Sequence, residues 1–299
     1  MITLRQLRFL VALADELNFS RAAEVCFVTQ PTLSAGLKEL EQILGVQLAE
    51  RSKRSVLLTP IGLEIASRAR ALLLSAHEIE DLAAAHKAPE EGDLRLGAIP
   101  TIGPFLIPKA LPLIRAAFPR LRLFLREEKT ESLLEGLASG RLDVVLIARP
   151  FDIGTAEHVD LFDDGYHLAT PPGWGRTKGD PVDGGALEGA RLLLLEQGHC
   201  LQRHALRAFP DRDIQQDESF SATSLPTLIS MVSEGLGITL LPDLAIDAGV
   251  LVGQRVDIAP LIGACPRHVI LAWRPTSARK PVFRALAGML RQTRADLDG

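Results

Sequence analysis

Apolar positions in the first 87 residues recur at intervals of three and four, the spacing of one helix face. Thr3 suits the cap of a first helix whose stripe is Leu4, Leu7, Leu10, Val11 and Ala14. A short second segment, capped by Ser20, runs to about Cys26 with Ala22, Ala23 and Val25 on its apolar side. Thr29 opens a third helix. Pro31 fits its first turn, Leu33, Leu37, Leu40 and Leu44 form its stripe, and Gly45 stops it. Residues 47–58 then carry a basic cluster, Arg51, Lys53 and Arg54, followed by Val56, Leu57 and Leu58, the pattern of a two-stranded wing with a basic tip. Thr59 and Pro60 start a long helix that reaches about residue 87. Along it Ile65, Ala69, Leu72, Ala76, Ile79 and Ala83 alternate by four and three. That is an a/d seam needing a partner helix, and a second copy of the chain is the simplest partner.

After a linker at 86–92 containing Pro89, Gly92 and charged residues, the texture changes. Strand-like runs at 94–99, 121–126 and 142–148 enclose helical patterns at 104–118 and 130–139, a βαβαβ unit that predicts a parallel sheet. A second set follows, with strands near 191–196, 216–220 and 237–241 and helices near 201–208 and 224–235. A strand at 268–274 and a helix at 279–297 read as a return to the first sheet. The expected fold is therefore an N-terminal, essentially all-α winged helix-turn-helix with a long linker helix, then a C-terminal α/β domain of two lobes joined by two crossovers. Its expected boundaries are 1–59, 60–92 and 93–299, with lobe I at about 93–163 and 268–299 and lobe II at about 164–267. Ligands in such sheets sit beyond the carboxyl ends of the strands.

The 299 residues, 47% hydrophobic and 23% charged, exclude a wholly disordered chain, and only 5% aromatics make the cores aliphatic. No apolar run approaches the ~18–20 residues that span a bilayer. The first ten residues lack a secretory pattern, so a cytoplasmic location is expected. Cys26, Cys200 and Cys265 form no CxxC pair and no disulfide framework, and neither a metal nor a cofactor is expected. Net charge is −4, but the first sixty residues hold seven basic against six acidic side chains. A nucleic acid contact must then be a small N-terminal patch.

In a helix-turn-helix the second helix places its first residues on base edges in the major groove. Here those are Thr29, Gln30, Pro31, Thr32, Ser34 and Lys38. Gln pairs bidentately with adenine, and Thr or Ser contacts several bases. Thr29, Ser34 and Lys38 equally suit phosphates, and Arg51, Lys53 and Arg54 suit the backbone or the minor groove. The stretch FLVALADELNFSRAAEVCFVTQPTLSAGLKELEQILGVQLAERSKRSVLLTPIG resembles the winged helix-turn-helix of LysR-type transcriptional regulators. The rest of the chain has the length and lobe pattern of their effector domain, which resembles periplasmic binding proteins. The resemblance implies a sequence-specific regulator of promoter DNA, dimeric through the linker helix and often tetrameric. It also implies RNA polymerase as a partner and a small-molecule or redox signal. One departure is Ala49, where the family usually has an aromatic residue before the Glu-Arg of the wing.

The segment LLLLEQGHCLQRHAL ends a leucine strand, turns at Gly198 and opens a helix at Cys200. A thiol at a helix N-terminus gains from the dipole, which favours the reactive thiolate, and His199 can add a hydrogen bond or charge. The competing reading is a small buried hydrophobe. The segment is similar to the hydrogen-peroxide-sensing, OxyR-like branch of the family. So are GAIPTIGPFLIPKALP, EKTESLLEGLASGRLDVVLIA and SFSATSLPTLISMVSEGLGITLLPDLA. The resemblance implies redox sensing at Cys200 in a pocket of Thr101, Thr130, His199 and Arg267, and an activator of the oxidative stress response. That branch carries a second cysteine shortly after the first, and residues 201–210 contain none. Three outcomes stay open: sulfenic acid or a low-molecular-weight thiol cap at Cys200, resolution by Cys265, or an organic effector in the inter-lobe cleft without redox chemistry. An enzyme using His199 and Cys200 is disfavoured, because chain neighbours rarely point at one another and no orienting acid follows. A free-standing solute-binding protein would not need the helical first third.

Replacing Arg51 and Arg54 together with alanine should weaken binding to a promoter fragment. It should also flatten the plot of log affinity against log salt, by about 0.9 for each phosphate no longer neutralised. Fluorescence anisotropy across a salt series measures both.

Overall fold

The computed structural model describes residues 1–51, 56–87, 90–174, 180–187, 192–196 and 216–298. The chain divides into two compact units, Met1–Ala84 and Ala85–Gly299. In the first, α1 (Leu4–Glu16) begins with a capping box: Thr3 Oγ1 accepts from Gln6 N–H, and the Gln6 side chain accepts from Thr3 N–H. Asn18, not Ser20, caps α2 (Phe19–Val25), since its Oδ1 accepts from both Ser20 N–H and Arg21 N–H. The helix thus starts earlier than the sequence pattern suggests. α3 (Gln30–Leu44) has Pro31 in its first turn and ends at Gly45, whose φ of 70° is left-handed. Leu10, Leu13, Ala22, Leu33, Leu37 and Leu40 form the core among these three helices.

The wing is an antiparallel pair, β1 (Ala49–Arg51) and β2 (Val56–Leu58). Ala49 is buried in the module's core. α4 (Pro60–Lys87) follows. Its first turn is pinned by Thr59 Oγ1, which accepts from Gly62 N–H at 3.0 Å and donates to Gln47 O at 2.8 Å. On α4, Ile65 and Ala69 of the expected seam pack inward, with Ile65 on the module's own core and Ala69 only 1% exposed. Leu72, Ile79 and Ala83 are exposed and Ala76 half-buried. The available apolar stripe therefore begins later on the helix than its periodicity indicates, because the inward side of the turns up to Ala69 is buried within the N-terminal unit.

In the second unit, β3 (Gly92–Ala98), α5 (Gly103–Ala117), β4 (Leu121–Glu127), α6 (Thr130–Ala138) and β5 (Val144–Arg149) form the expected βαβαβ series. β6 (Glu157–Asp164) and β12 (Arg267–Trp273) complete a sheet of order β4-β3-β5-β12-β6. β3 is parallel to β4 and β5, and the returning β12 is antiparallel to both β5 and β6. Val144 to Ala148 are buried on both faces, the signature of a central strand with helices on either side. α9 (Lys280–Asp298) packs on α5 and closes this lobe.

The other lobe holds β7 (Tyr166–Thr170), β8 (Leu192–Leu195), β9 (Gln216–Ala222), α7 (Leu225–Ser233), β10 (Thr239–Pro242), α8 (Asp243–Asp247) and β11 (Asp257–Pro260). Its strands form β10-β7-β11 and a parallel β8-β9 pair, bridged by Leu192 and Ile238. β6, β7, β11 and the short α8 are absent from the sequence reading. β6 is an edge strand rich in acids, which masks its alternation. The helix expected near 201–208 lies outside the described residues. No helix among the described residues is long and apolar enough to cross a membrane.

Gly62 packs so closely that an added Cβ would lie 2.0 Å from Leu48 O. Gly62→Ala should cost about 1–3 kcal/mol. The measurement is thermal unfolding of the intact protein, where the transition of the N-terminal unit should shift down and that of the C-terminal unit should not.

Candidate functional site

Two sites arise from this scaffold. In the N-terminal unit, Thr29, Gln30, Pro31, Thr32 and Lys38 are exposed at the start of α3, and Ser34 is half-buried. Thr29 Oγ1 and Thr32 Oγ1 lie 2.8 Å apart, so Thr29 at the N-cap position bonds the Thr32 hydroxyl and makes no side-chain bond to a backbone N–H of the helix. Apolar anchors at Leu33, Leu37 and Leu40 fix the rotation of α3 and turn these polar side chains to solvent. In the wing, Arg51 ends β1, while Lys53 and Arg54 lie outside the described residues.

The second site forms where β3 and β4 end. Thr101 follows β3, and Thr130 begins α6 immediately after the β4 loop. These parallel neighbours bring both hydroxyls to the carboxyl edge of the sheet. Thr101 is 1% exposed and Thr130 fully buried. Arg267, first residue of β12, reaches the same edge from the other side of β5. Its Nη1 donates to Thr101 Oγ1 at 2.8 Å and its Nη2 to Thr101 O at 3.1 Å. Thr130 Oγ1 has no hydrogen-bond partner among the described residues. Lys129, beside Thr130, pairs at 3.6 Å with Glu196, which leaves β8 toward the segment holding His199 and Cys200. His199 and Cys200 themselves lie outside the described residues.

Arg267 is balanced by Asp164, the last residue of β6, which sequence reasoning did not single out. Arg267 Nε and Nη2 both donate to Asp164 Oδ2, at 3.0 and 2.8 Å, and both side chains are fully buried. The only local signal was an acidic pair, Asp163 and Asp164, ahead of Gly165. Cys265 is exposed and lines a cavity of about 800 Å³ together with Arg149, Phe162, Tyr166, Arg267 and His268. On the loop after β4, Glu128 is held below the usual carboxylate range: burial works upward, and hydrogen bonds from Arg141 and Ser132 outweigh it. Its stabilising contribution is thus complete above the ordinary carboxylate pKa and is lost as pH falls through the depressed value. Burial pushes the Cys26 thiol up, against the opposing charge of Arg8.

An exposed polar helix start backed by a wing, on a chain whose second unit is a two-lobed α/β domain with a polar pocket, defines a DNA-binding regulator with a sensing domain. The first segment matches the bacterial regulatory helix-turn-helix proteins of the lysR family over residues 4–63, and the second matches the LysR substrate binding domain over residues 87–295. The chain belongs to the LysR family. It is 38% identical over 299 residues to the DNA-binding transcriptional dual regulator OxyR of Escherichia coli K12, covering 100% of this chain and 97% of that one. It is also 38% identical over 301 residues to the HTH-type transcriptional regulator EstR of Acinetobacter baylyi, covering 99% and 98%. A full-length OxyR variant from Pseudomonas aeruginosa superposes with a TM-score of 0.75 at 36% identity, over 97% of this chain and 95% of that one. A Corynebacterium glutamicum OxyR mutant with hydrogen peroxide bound gives 0.66 at 30% identity, over 99% and 93%. The family's members are regulators rather than enzymes, and they bind DNA and self-associate.

Since the thiolate is the reactive form, the raised Cys26 thiol should alkylate more slowly than exposed Cys265 at neutral pH. Its labelling should rise steeply with pH. Timed iodoacetamide labelling with peptide mass spectrometry reads each site separately.

Proposed function

We propose that this protein is a cytoplasmic, peroxide-responsive transcription regulator in which Cys200 is the redox-sensing thiol. Residues 1–59 read promoter DNA through Thr29, Gln30, Pro31, Thr32, Ser34 and Lys38, with Arg51, Lys53 and Arg54 on the backbone. Residues 60–92 pair two copies through Leu72, Ala76, Ile79 and Ala83, and residues 93–299 sense the signal. A tetramer and a contact with RNA polymerase complete the reading, by analogy with the OxyR-type hydrogen peroxide-inducible activators to which the chain is similar.

The observation that carries it is the pair of buried threonine hydroxyls at one sheet edge. Thr101 is bonded to a buried guanidinium, and Thr130 Oγ1 is unpartnered among the described residues. An unsatisfied buried hydroxyl is costly, and a small polar ligand would relieve it. Two hydroxyls and an arginine are the donors and acceptors that hydrogen peroxide can use. Cys200 thiolate would attack one peroxide oxygen: the S–O bond forms, the O–O bond breaks, and hydroxide leaves to be protonated to water. The sulfur is oxidised by two electrons as the peroxide is reduced. Hydrogen bonds from Arg267 and the threonines would orient the peroxide and stabilise the departing oxygen. With no cysteine in 201–210, the product is a sulfenic acid, a mixed disulfide with a small thiol, or a bond to Cys265. The same absence favours a second reading, an organic effector in the inter-lobe cleft.

Peroxide titration of the wild type and Cys200→Ser separates the two. The wild type should gain one oxygen or a thiol adduct on Cys200 and change its promoter binding and transcription. Cys200→Ser should do neither. Equal responses in the two proteins would remove redox sensing and leave the effector reading.

A further inference from the structure

Arg267 enters the sensing pocket from β12 as a side chain with no exposed surface. A guanidinium cannot deprotonate to escape burial, so its place depends on what neutralises it. That group is Asp164. Oδ2 of Asp164 takes both Nε–H and an Nη2–H, which fixes the plane of the guanidinium on one side. The adjacent Nη1–Nη2 end is thereby aimed at Thr101, whose hydroxyl and carbonyl oxygens accept at 2.8 and 3.1 Å. The second carboxylate oxygen, Oδ1, accepts from Leu244 N–H at 2.9 Å.

Leu244 lies in α8, which sits between the cores of the two lobes: Leu244 belongs to the core of the first and Ala245 to that of the second. The turn after Asp164 is shaped for this approach. A Cβ on Gly165 would lie 2.5 Å from Asp243 Oδ2, and Asp243 Oδ1 is 2.9 Å from His167 Nδ1. One carboxylate therefore holds the pocket's arginine and the start of the helix that joins the lobes.

We propose that Asp164 is a positioning residue for the peroxide reaction: it acts through Arg267, setting the direction in which that guanidinium meets the pocket and linking it to α8. The proposal rests on the reading of Thr101, Thr130, Arg267 and Cys200 as the sensing pocket. Asp164 makes no contact with peroxide; removing it releases Arg267 from Thr101.

The test is a double-mutant cycle on the full-length protein. The second-order rate of Cys200 oxidation by hydrogen peroxide is read by timed alkylation and mass spectrometry, alongside thermal melting. Arg267→Met and Asp164→Asn should each slow oxidation by about tenfold or more, the scale of a misplaced orienting group. The double variant should be no slower than Arg267→Met alone, because Asp164 has nothing left to position. Restoring stability should not restore the rate, so rate effects should not track melting temperature.

If Asp164→Asn does not fold, Asp164→Glu decides. It keeps the charge, displaces the carboxylate by one methylene, and should slow oxidation with Arg267 present but not in the Arg267→Met background. Slow Arg267→Met with wild-type rates in the folded Asp164 variants would overturn the role of Asp164 alone. Rate effects that multiply in the double variant would overturn it as well. A wild-type rate in Arg267→Met would overturn the pocket reading and this proposal together.

Discussion

A guanidinium and a carboxylate withdrawn wholly from water are tolerated only when each finds its full set of partners. Arg267 and Asp164 meet that condition through hydrogen bonds with each other, with Thr101 and with Leu244. Leaving either charge alone in the interior typically costs about 3–5 kcal/mol, so the pair is fixed once formed. Its members come from the two strands that end side by side, β6 and β12, and its hydrogen bonds reach the β3–α5 turn and the start of α8. The β3–α5 turn, β6, β12 and α8 all meet at this one ion pair. Thr101 is held by it, the passage between the lobes runs through it, and Thr130 faces the same sheet edge across the parallel β3–β4 neighbours.

The scaffold explains why such a pair can exist. β5 is apolar on both faces and sits between β3 and β12, which keeps water away from the edge where Arg267 emerges. Parallel strands deliver their following turns to one side of the sheet, so Thr101 and Thr130 arrive together although 29 positions separate them. The N-terminal unit is built differently. Three short helices share a leucine core, caps at Thr3 and Asn18 set where helices begin, and Pro31 and Gly45 bound the helix whose polar start faces solvent. That core also takes the first turns of α4, which confines any pairing stripe to the later ones.

Much of this was legible in the residues. The stripe of α3, the wing, the long helix and the βαβαβ series follow from periodicities that a helix or a buried strand imposes on a short window of chain. The stripes of α1 and α2 were only partly right, since Leu4 and Val25 are exposed while Phe9, Ala12 and Leu13 are buried. The helix-turn-helix and its exposed polar residues were legible from the same periodicities, and the resemblance of whole segments pointed to Thr101, Thr130 and Arg267, which the fold brings to one sheet edge. Less visible were β6 and β7, whose acidic and aromatic positions alternate weakly at a sheet edge and a lobe crossing, and the five-residue α8, too short to show a period. The cap of α2 was misplaced because Asn18 and Ser20 are both good caps, and only geometry selects between them.

What the sequence determined by itself is local: most of the windows that are helix or strand, and which side chains face out from the start of α3. The tertiary structure decided who meets whom across distance. Arg267 is 103 positions from Asp164 and 166 from Thr101, and no pattern within a window encodes such a pairing. It exists because β12 inserts antiparallel between β5 and β6, a consequence of how the whole sheet buries its apolar faces. The seam of α4 shows the converse: its spacing was readable, but its use was divided by a core that forms only when distant helices pack.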